Sequence, residues 1–129
     1  TSVETGDCSI RNAFAANDAV SFGSIINAYT QPFLLLYNHR KDRGYRMEAF
    51  AKAIRQSAAK PVCIGVIGEH KKACARYMQR TTGIRAQAVE RPKEWIQAQN
   101  VRHVLCAGNI KGEGRQFLEE MIEEARQNV

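Results

Sequence analysis

The stretch F33-L-L-L-Y-N-H-R-K-D-R-G-Y-R46 changes character twice within fourteen residues. Phe33 to Asn38 is an apolar run of strand length with Pro32 just before it. His39, Arg40, Lys41, Arg43 and Arg46 then crowd around one acid, Asp42, and Met47, Phe50, Ala51 and Ile54 follow at i, i+3, i+4 and i+7. A run without polar alternation reads as a strand covered on both faces, and the spacing after it predicts a helix with one apolar stripe. The unit is therefore strand, charged loop, helix.

The same unit recurs outward in both directions. Upstream, CSIRNAF at residues 8–14 predicts a strand, and Asn17 or Asp18 caps a helix through Val20, Ile25, Ile26 and Tyr29. Downstream, VCIGVIG at 62–68 leads into a helix with Ala73, Cys74, Tyr77 and Met78 on one face, stopped by Gly83. RAQAV at 85–89 predicts a short strand, with Pro92 in the first turn of a short helix. RHVLCAGN at 102–109 precedes a helix with Phe117, Leu118, Met121, Ile122 and Ala125 in register. Five β/α units without a Pro-rich or Gly/Ser-rich linker predict one α/β domain over residues 1–129. Its expected form is a three-layer, Rossmann-like domain with a mostly parallel sheet of about five strands and helices on both faces. Strand order stays open.

At 129 residues and 44% hydrophobic content the chain can bury a core of its own. No apolar run approaches the roughly 18 to 20 residues of a membrane span, and the N-terminus lacks the features of a secretory leader. The four cysteines, Cys8, Cys63, Cys74 and Cys106, lack CxxC pairing and zinc spacing, so they are expected as buried, reduced thiols of a cytoplasmic protein. Trp95 is expected as a packing residue, and the acidic face of Glu119, Glu120, Glu123 and Glu124 as solvated. The net charge of +6 points to an anionic partner without choosing one.

Ligands of open α/β sheets bind beyond the carboxyl ends of the strands, at helix N-termini. Three loops there carry unusual residues: NAFAAND, YNHRKDRGYR and AGNIKGEG. Positive side chains in a first helical turn oppose the helix dipole, which an anionic ligand would explain. Gly108, Gly112 and Gly114, with Asn109 and Lys111, can turn strand into helix and also let backbone approach a phosphate or carboxylate. No GxxxxGK[ST] and no GxGxxG after the first strand occurs, so neither a P-loop nor a dinucleotide fingerprint is present. The third strand ends in glycine rather than the acid of a phosphoacceptor domain. His39, His70 and His103 belong to different units, and no catalytic triad or metal set follows from spacing; the catalytic residues stay unknown.

NAFAANDAVS, LLYNHRKDRGYR and VLCAGNIKGEG, in this order at matching strand ends, resemble the C-terminal domain of poly-γ-glutamate synthetase, a capsule-type relative of the Mur ligases. The similarity runs from about Cys8 to Met121. The family pattern falls on Asn12, Asn17, Asp18 and Ser21, on Asn38, Arg40, Asp42, Arg43 and Arg46, and on Gly108, Asn109 and Gly112; Ala19 stands where the family has Pro. With Lys111, these residues other than Ser21 form the candidate substrate- and nucleotide-binding set.

The resemblance implies an ATP-dependent amide ligase. An acyl phosphate of glutamate is attacked by the amine of the next glutamate, and ATP and Mg2+ are held mainly by a P-loop domain absent from this chain. The chain is then expected to be a C-terminal piece, inactive alone, that closes the active site and helps bind incoming glutamate and nucleotide. Expected partners are glutamate, the growing poly-γ-glutamate, other domains of the same ligase and membrane subunits of a synthase complex, with the parent protein membrane-associated and no nucleic acid bound. An alternative reading is a non-catalytic basic module for RNA or an acidic polymer. The basic loop has few interleaved aromatics and no RNA-binding motif, which weighs against RNA.

Overall fold

A computed structural model describes residues 2–14 and 18–127. The strands are β1 (Ser2–Glu4), β2 (Ser9–Asn12), β3 (Phe33–His39), β4 (Ile64–Gly68), β5 (Ala86–Ala88) and β6 (His103–Gly108). The helices are α1 (Ala19–Asn27), α2 (Gly44–Gln56), α3 (Lys71–Thr82), α4 (Pro92–Gln99) and α5 (Glu113–Gln127), with a 3-10 turn at Lys41–Arg43 before α2. The six strands form one sheet in the order β1-β2-β6-β3-β4-β5, parallel except for β1, which pairs antiparallel with β2. The expected three-layer α/β architecture is present, with one strand more than the five expected. β1 escapes a pattern reading because it is three residues long and only partly buried.

β3 lies near the centre, and all seven of its residues are buried. Phe33, Leu35 and Tyr37 face a layer built by Phe22 and Ile26 of α1, Phe50, Ala51 and Ile54 of α2, and Cys74, Ala75 and Met78 of α3. Leu34 and Leu36 face the other layer, against Trp95 and Ile96 of α4 and Phe117, Leu118 and Met121 of α5. Side chains alternate along a strand, so an unbroken apolar run was needed to supply both faces.

Several expected details shift. The strand expected at 8–14 spans only Ser9–Asn12, and β4 begins at Ile64, leaving Val62 51% exposed. Val20 is 81% exposed, because at 100° per residue it lies well round α1 from Phe22 and Ile26, the pair that reaches the sheet. Ala73 is exposed and Ala75 takes its place beside Cys74; Ile122 stays 40% exposed at the rim of the α5 stripe. The caps hold as expected. Asp18 accepts from the Ser21 N–H at 2.8 Å, Gly83 closes α3 in the left-handed region, and Pro92 opens α4.

The four thiols are all free and buried. Burial pushes Cys74 up to about 12 and Cys106 higher still. Trp95 is 7% exposed, its ring lying over Gly65. Among the described residues no helix is long and apolar enough to cross a membrane.

Candidate functional site

β6 lies between β2 and β3, yet the chain leaves β6 towards α5 on one layer and leaves β2 and β3 towards α1 and α2 on the other. Neighbouring strands whose helices depart to opposite faces open a crevice at their carboxyl ends, the usual ligand position in such sheets. The described residues of the three loops singled out by sequence follow the carboxyl ends of these three strands.

Two of them are tied together by Asn38. This residue is 3% exposed, and its Nδ2 donates to the carbonyl of Asn109 and, at 2.8 Å, to that of Lys111. Its own carbonyl accepts from the Asn109 N–H at 2.9 Å. Asn109 Oδ1 in turn accepts from the Lys111 N–H at 2.8 Å, which tightens the turn from β6 into α5. Gly108 has a φ of +93°, and a Cβ there would run into the Asn38 carbonyl, so the β3 and β6 backbones can approach only because residue 108 is glycine. Asn38 is thus a buried clamp holding the Asn109–Lys111 loop, with its amide donors already in use. Lys111 and Gly112 are exposed beyond the clamp.

In the β3–α2 loop the Arg40 guanidinium pairs with Asp42 at 2.9 Å. The arginines do not all lie in the first turn of one helix, as the sequence suggested: Lys41–Arg43 wind a 3-10 turn, and only Arg46 lies in the first turn of α2. That turn contains no acid, and the α2 N-terminus has no side-chain cap. Arg43 keeps a buried Nε without a hydrogen-bond partner. A cation-rich, uncapped N-terminus is suited to a carboxylate or phosphate.

On the far side of β6, Asn12 pairs in register with Cys106 and turns the chain by accepting from the Phe14 N–H at 3.1 Å. Asp18 is engaged in capping α1, and its two hydrogen bonds from Ser21 hold its carboxyl below the usual range. Asn17 lies outside the described residues.

Sequence reasoning missed the β4–α3 loop, which completes the rim. Glu113, at the start of α5, accepts from the Gly68 N–H at 2.9 Å and from Lys71 Nζ at 3.3 Å; Lys71 also reaches Glu90 at 3.3 Å. Burial opposes the Lys71 charge, but the bonds it donates to Glu113 and Glu90 prevail and raise its pKa. Glu69 accepts from the Lys41 N–H at 3.2 Å, linking this loop to the basic one. His70 adopts a left-handed φ of 51°, uncommon for a non-glycine residue. His39 is 6% exposed with an unpartnered Nδ1; burial, reinforced by His70 and opposed by Glu69, lowers its pKa. The clue lay in GEHKK after the VCIGVIG run, charges placed as in the basic loop.

This arrangement, an open parallel sheet with a clamped crevice at its carboxyl edge, defines a Rossmann-like domain of the kind found in solved ligase structures. Folylpolyglutamate synthase from Thermotoga maritima superposes with a TM-score of 0.67 at 15% identity, covering 98% of this chain and 32% of that one. The chain thus spans about a third of that enzyme. A domain assigned to a UDP-N-acetylmuramate:L-alanyl-γ-D-glutamyl-diaminopimelate ligase from Haemophilus ducreyi matches with a TM-score of 0.57 at 12% identity, over 95% of this chain and 98% of the other. No curated protein matches significantly by sequence. The model of the poly-gamma-glutamate synthase CapB C-terminal domain matches residues 2–124, and the chain belongs to that family.

Proposed function

We propose that this chain is the C-terminal domain of an ATP-dependent amide ligase that extends poly-γ-glutamate, closing the active site and helping to bind incoming glutamate and nucleotide. The observation that carries the reading is the Asn38 clamp, which ties the Asn109–Lys111 loop to the end of β3, the strand that leads through Arg40 and Arg43 into the uncapped start of α2. Membership of the family supports the chemistry.

ATP, when bound, supplies the phosphoryl group that activates a glutamate carboxylate as an acyl phosphate. The part of this chain is electrostatic and steric. Arg43 and Arg46 present guanidinium forks to carboxylate or phosphate oxygens, and the exposed Lys111 adds a cation from the loop after β6. Asp42 orients Arg40 through their ion pair. Closure of this domain over its partner domain would exclude water that otherwise hydrolyses an activated carboxylate. Among the described residues no group of three His, Cys, Asp or Glu side chains could hold a metal. The set, with Arg40, Arg43, Arg46 and Lys111, fits an anion.

The test is a titration of the chain with γ-linked oligoglutamate and with RNA across a salt series, followed by amide NMR. Oligoglutamate is expected to shift the amides of residues 40–46 and 109–112. Tight RNA binding with a steep salt slope, and no response to oligoglutamate, would replace this reading with that of a basic nucleic-acid module.

A further inference from the structure

Charge is divided between the two helical layers. α2 and α3 together hold seven bases and one acid, Glu48, and α3 holds no acid at all. On the opposite layer α4 and α5 hold six acids and three bases. A surface divided in this way draws a polyanion to one face and repels it from the other. The bases also follow a line. α2 and α3 start at the carboxyl ends of β3 and β4, the same edge as the crevice, and run to the far end of the sheet. Arg46, Lys52 and Arg55 mark the way along α2, and Lys72, Arg76 and Arg80 along α3. Arg55 and Arg80, in last turns, suit the helix dipole. Lys72 in a first turn opposes it, and Lys52 and Arg76 stand mid-helix, so helix stability does not account for the row. Arg76 and Arg80 are exposed on the side of α3 opposite the buried Cys74, Ala75 and Met78. Lys52 and Arg55 line a groove of about 400 Å3 against Tyr77 and Thr81, which joins the two helices into one face.

We propose that this face is the path along which the growing γ-linked glutamate chain leaves the crevice, its carboxylates passing over the bases of α2 and α3. The identity of the polymer rests on the ligase reading; the path is a separate surface from the crevice. A γ-linked glutamate keeps a free carboxylate and is two methylenes longer than an ordinary residue, about 6 Å when extended, so about three residues span α3. The acidic α4–α5 layer leaves a polyanion no equivalent route. A lipid surface is a poorer occupant, because a helix face that lies on a membrane needs apolar side chains beside its bases. Among the described residues, Tyr45 at the rim is the one strongly exposed large apolar side chain of α2 and α3. RNA is a poorer occupant for a related reason, since stacking needs aromatic rings along the path.

The full chain is titrated with glutamate, with a γ-linked dimer and with a γ-linked oligomer of about ten residues, long enough to pass the end of α3, across a salt series and followed by amide NMR. The long oligomer is expected to shift the amides of Lys52, Arg55, Lys72, Arg76 and Arg80, and glutamate and the dimer to leave them in place. The double variant Arg76→Gln/Arg80→Gln should weaken the long oligomer about threefold or more and flatten its salt dependence, with the response of residues 40–46 to the dimer unchanged. The length comparison on the unaltered chain decides alone if the variant fails to fold. Shifts at residues 40–46 and 109–112 without any along α2 and α3 overturn the path and leave the ligase reading standing; no shift in either region overturns both. Tighter binding to phosphatidylserine vesicles or to RNA of matched charge, lost in the same double variant, would also overturn the proposal by assigning the face to that partner.

Discussion

Replacing Asn38 by alanine removes both side-chain bonds to the Asn109–Lys111 loop and leaves two part-buried carbonyls without them. Each such loss costs about 1–3 kcal/mol, so Asn38→Ala should lower the denaturant midpoint clearly while shifting the amides of residues 109–112; an unchanged midpoint would mean that the clamp is not formed in solution. Asn38→Asp should be worse, because it sets a carboxylate oxygen where the donor was. His39 gives a second expectation, at acid pH. Its pKa is lowered from 6.5 by burial, so the unfolded chain binds the proton more readily. Stability is therefore full above about pH 6.5 and falls as pH drops from there towards the lower folded value. His39→Gln should flatten that part of the stability profile, and an identical slope in both proteins would contradict the assignment. The sequence made Asn38 visible as a candidate, because it ends an apolar run at a loop, but not as a clamp. Its partners lie 71 and 73 positions away, and only the β3–β6 pairing brings them close. Glu113 and Lys71 escaped for the same reason, each being an ordinary surface charge until strands β4 and β6 are placed.

The elements themselves were largely legible. β3, β6, α2 and α5 carry strong periodicity and sharp turn chemistry, and each appears within a few residues of where the pattern puts it. β1 was not, since it exposes as much as it buries, and β2 was drawn too long because Cys8, Ala13 and Phe14 beside it are buried without being in the strand. The packing of α4 on β4 offers a direct check. A Cβ added at Gly65 would stand 2.8 Å from the Trp95 ring. Gly65→Ala should thus overpack this contact, costing about 1–3 kcal/mol and altering the emission of the single tryptophan; native-like emission with unchanged stability would mean that α4 docks elsewhere. The α2 start behaves in the opposite sense. Arg46 opposes the dipole of its own helix, so its removal should leave the melting temperature unchanged or slightly raised.

For the whole molecule, one continuous sheet with buried thiols on both faces predicts cooperative unfolding of the isolated chain, with slow native thiol labelling and fast labelling after denaturation. Strand order was beyond the sequence, and it is the insertion of β6 between β2 and β3 that sets the ends of these three strands side by side. On the proposed reading, half of the catalytic apparatus lies in another domain, so the chain alone should neither hydrolyse ATP nor ligate glutamate. The central claim is that the arginines of this rim serve ligation rather than folding, and the most direct test is the glutamate ligation rate of the parent enzyme carrying Arg43→Ala or Arg46→Ala, read beside the melting temperature of each variant. Loss of a charge-assisted hydrogen bond, worth roughly 1.5–3 kcal/mol, predicts a fall in kcat/KM of about 10- to 150-fold with the melting temperature preserved, and only partial rescue by lysine. Unchanged ligation, or activity lost together with the fold, would contradict it.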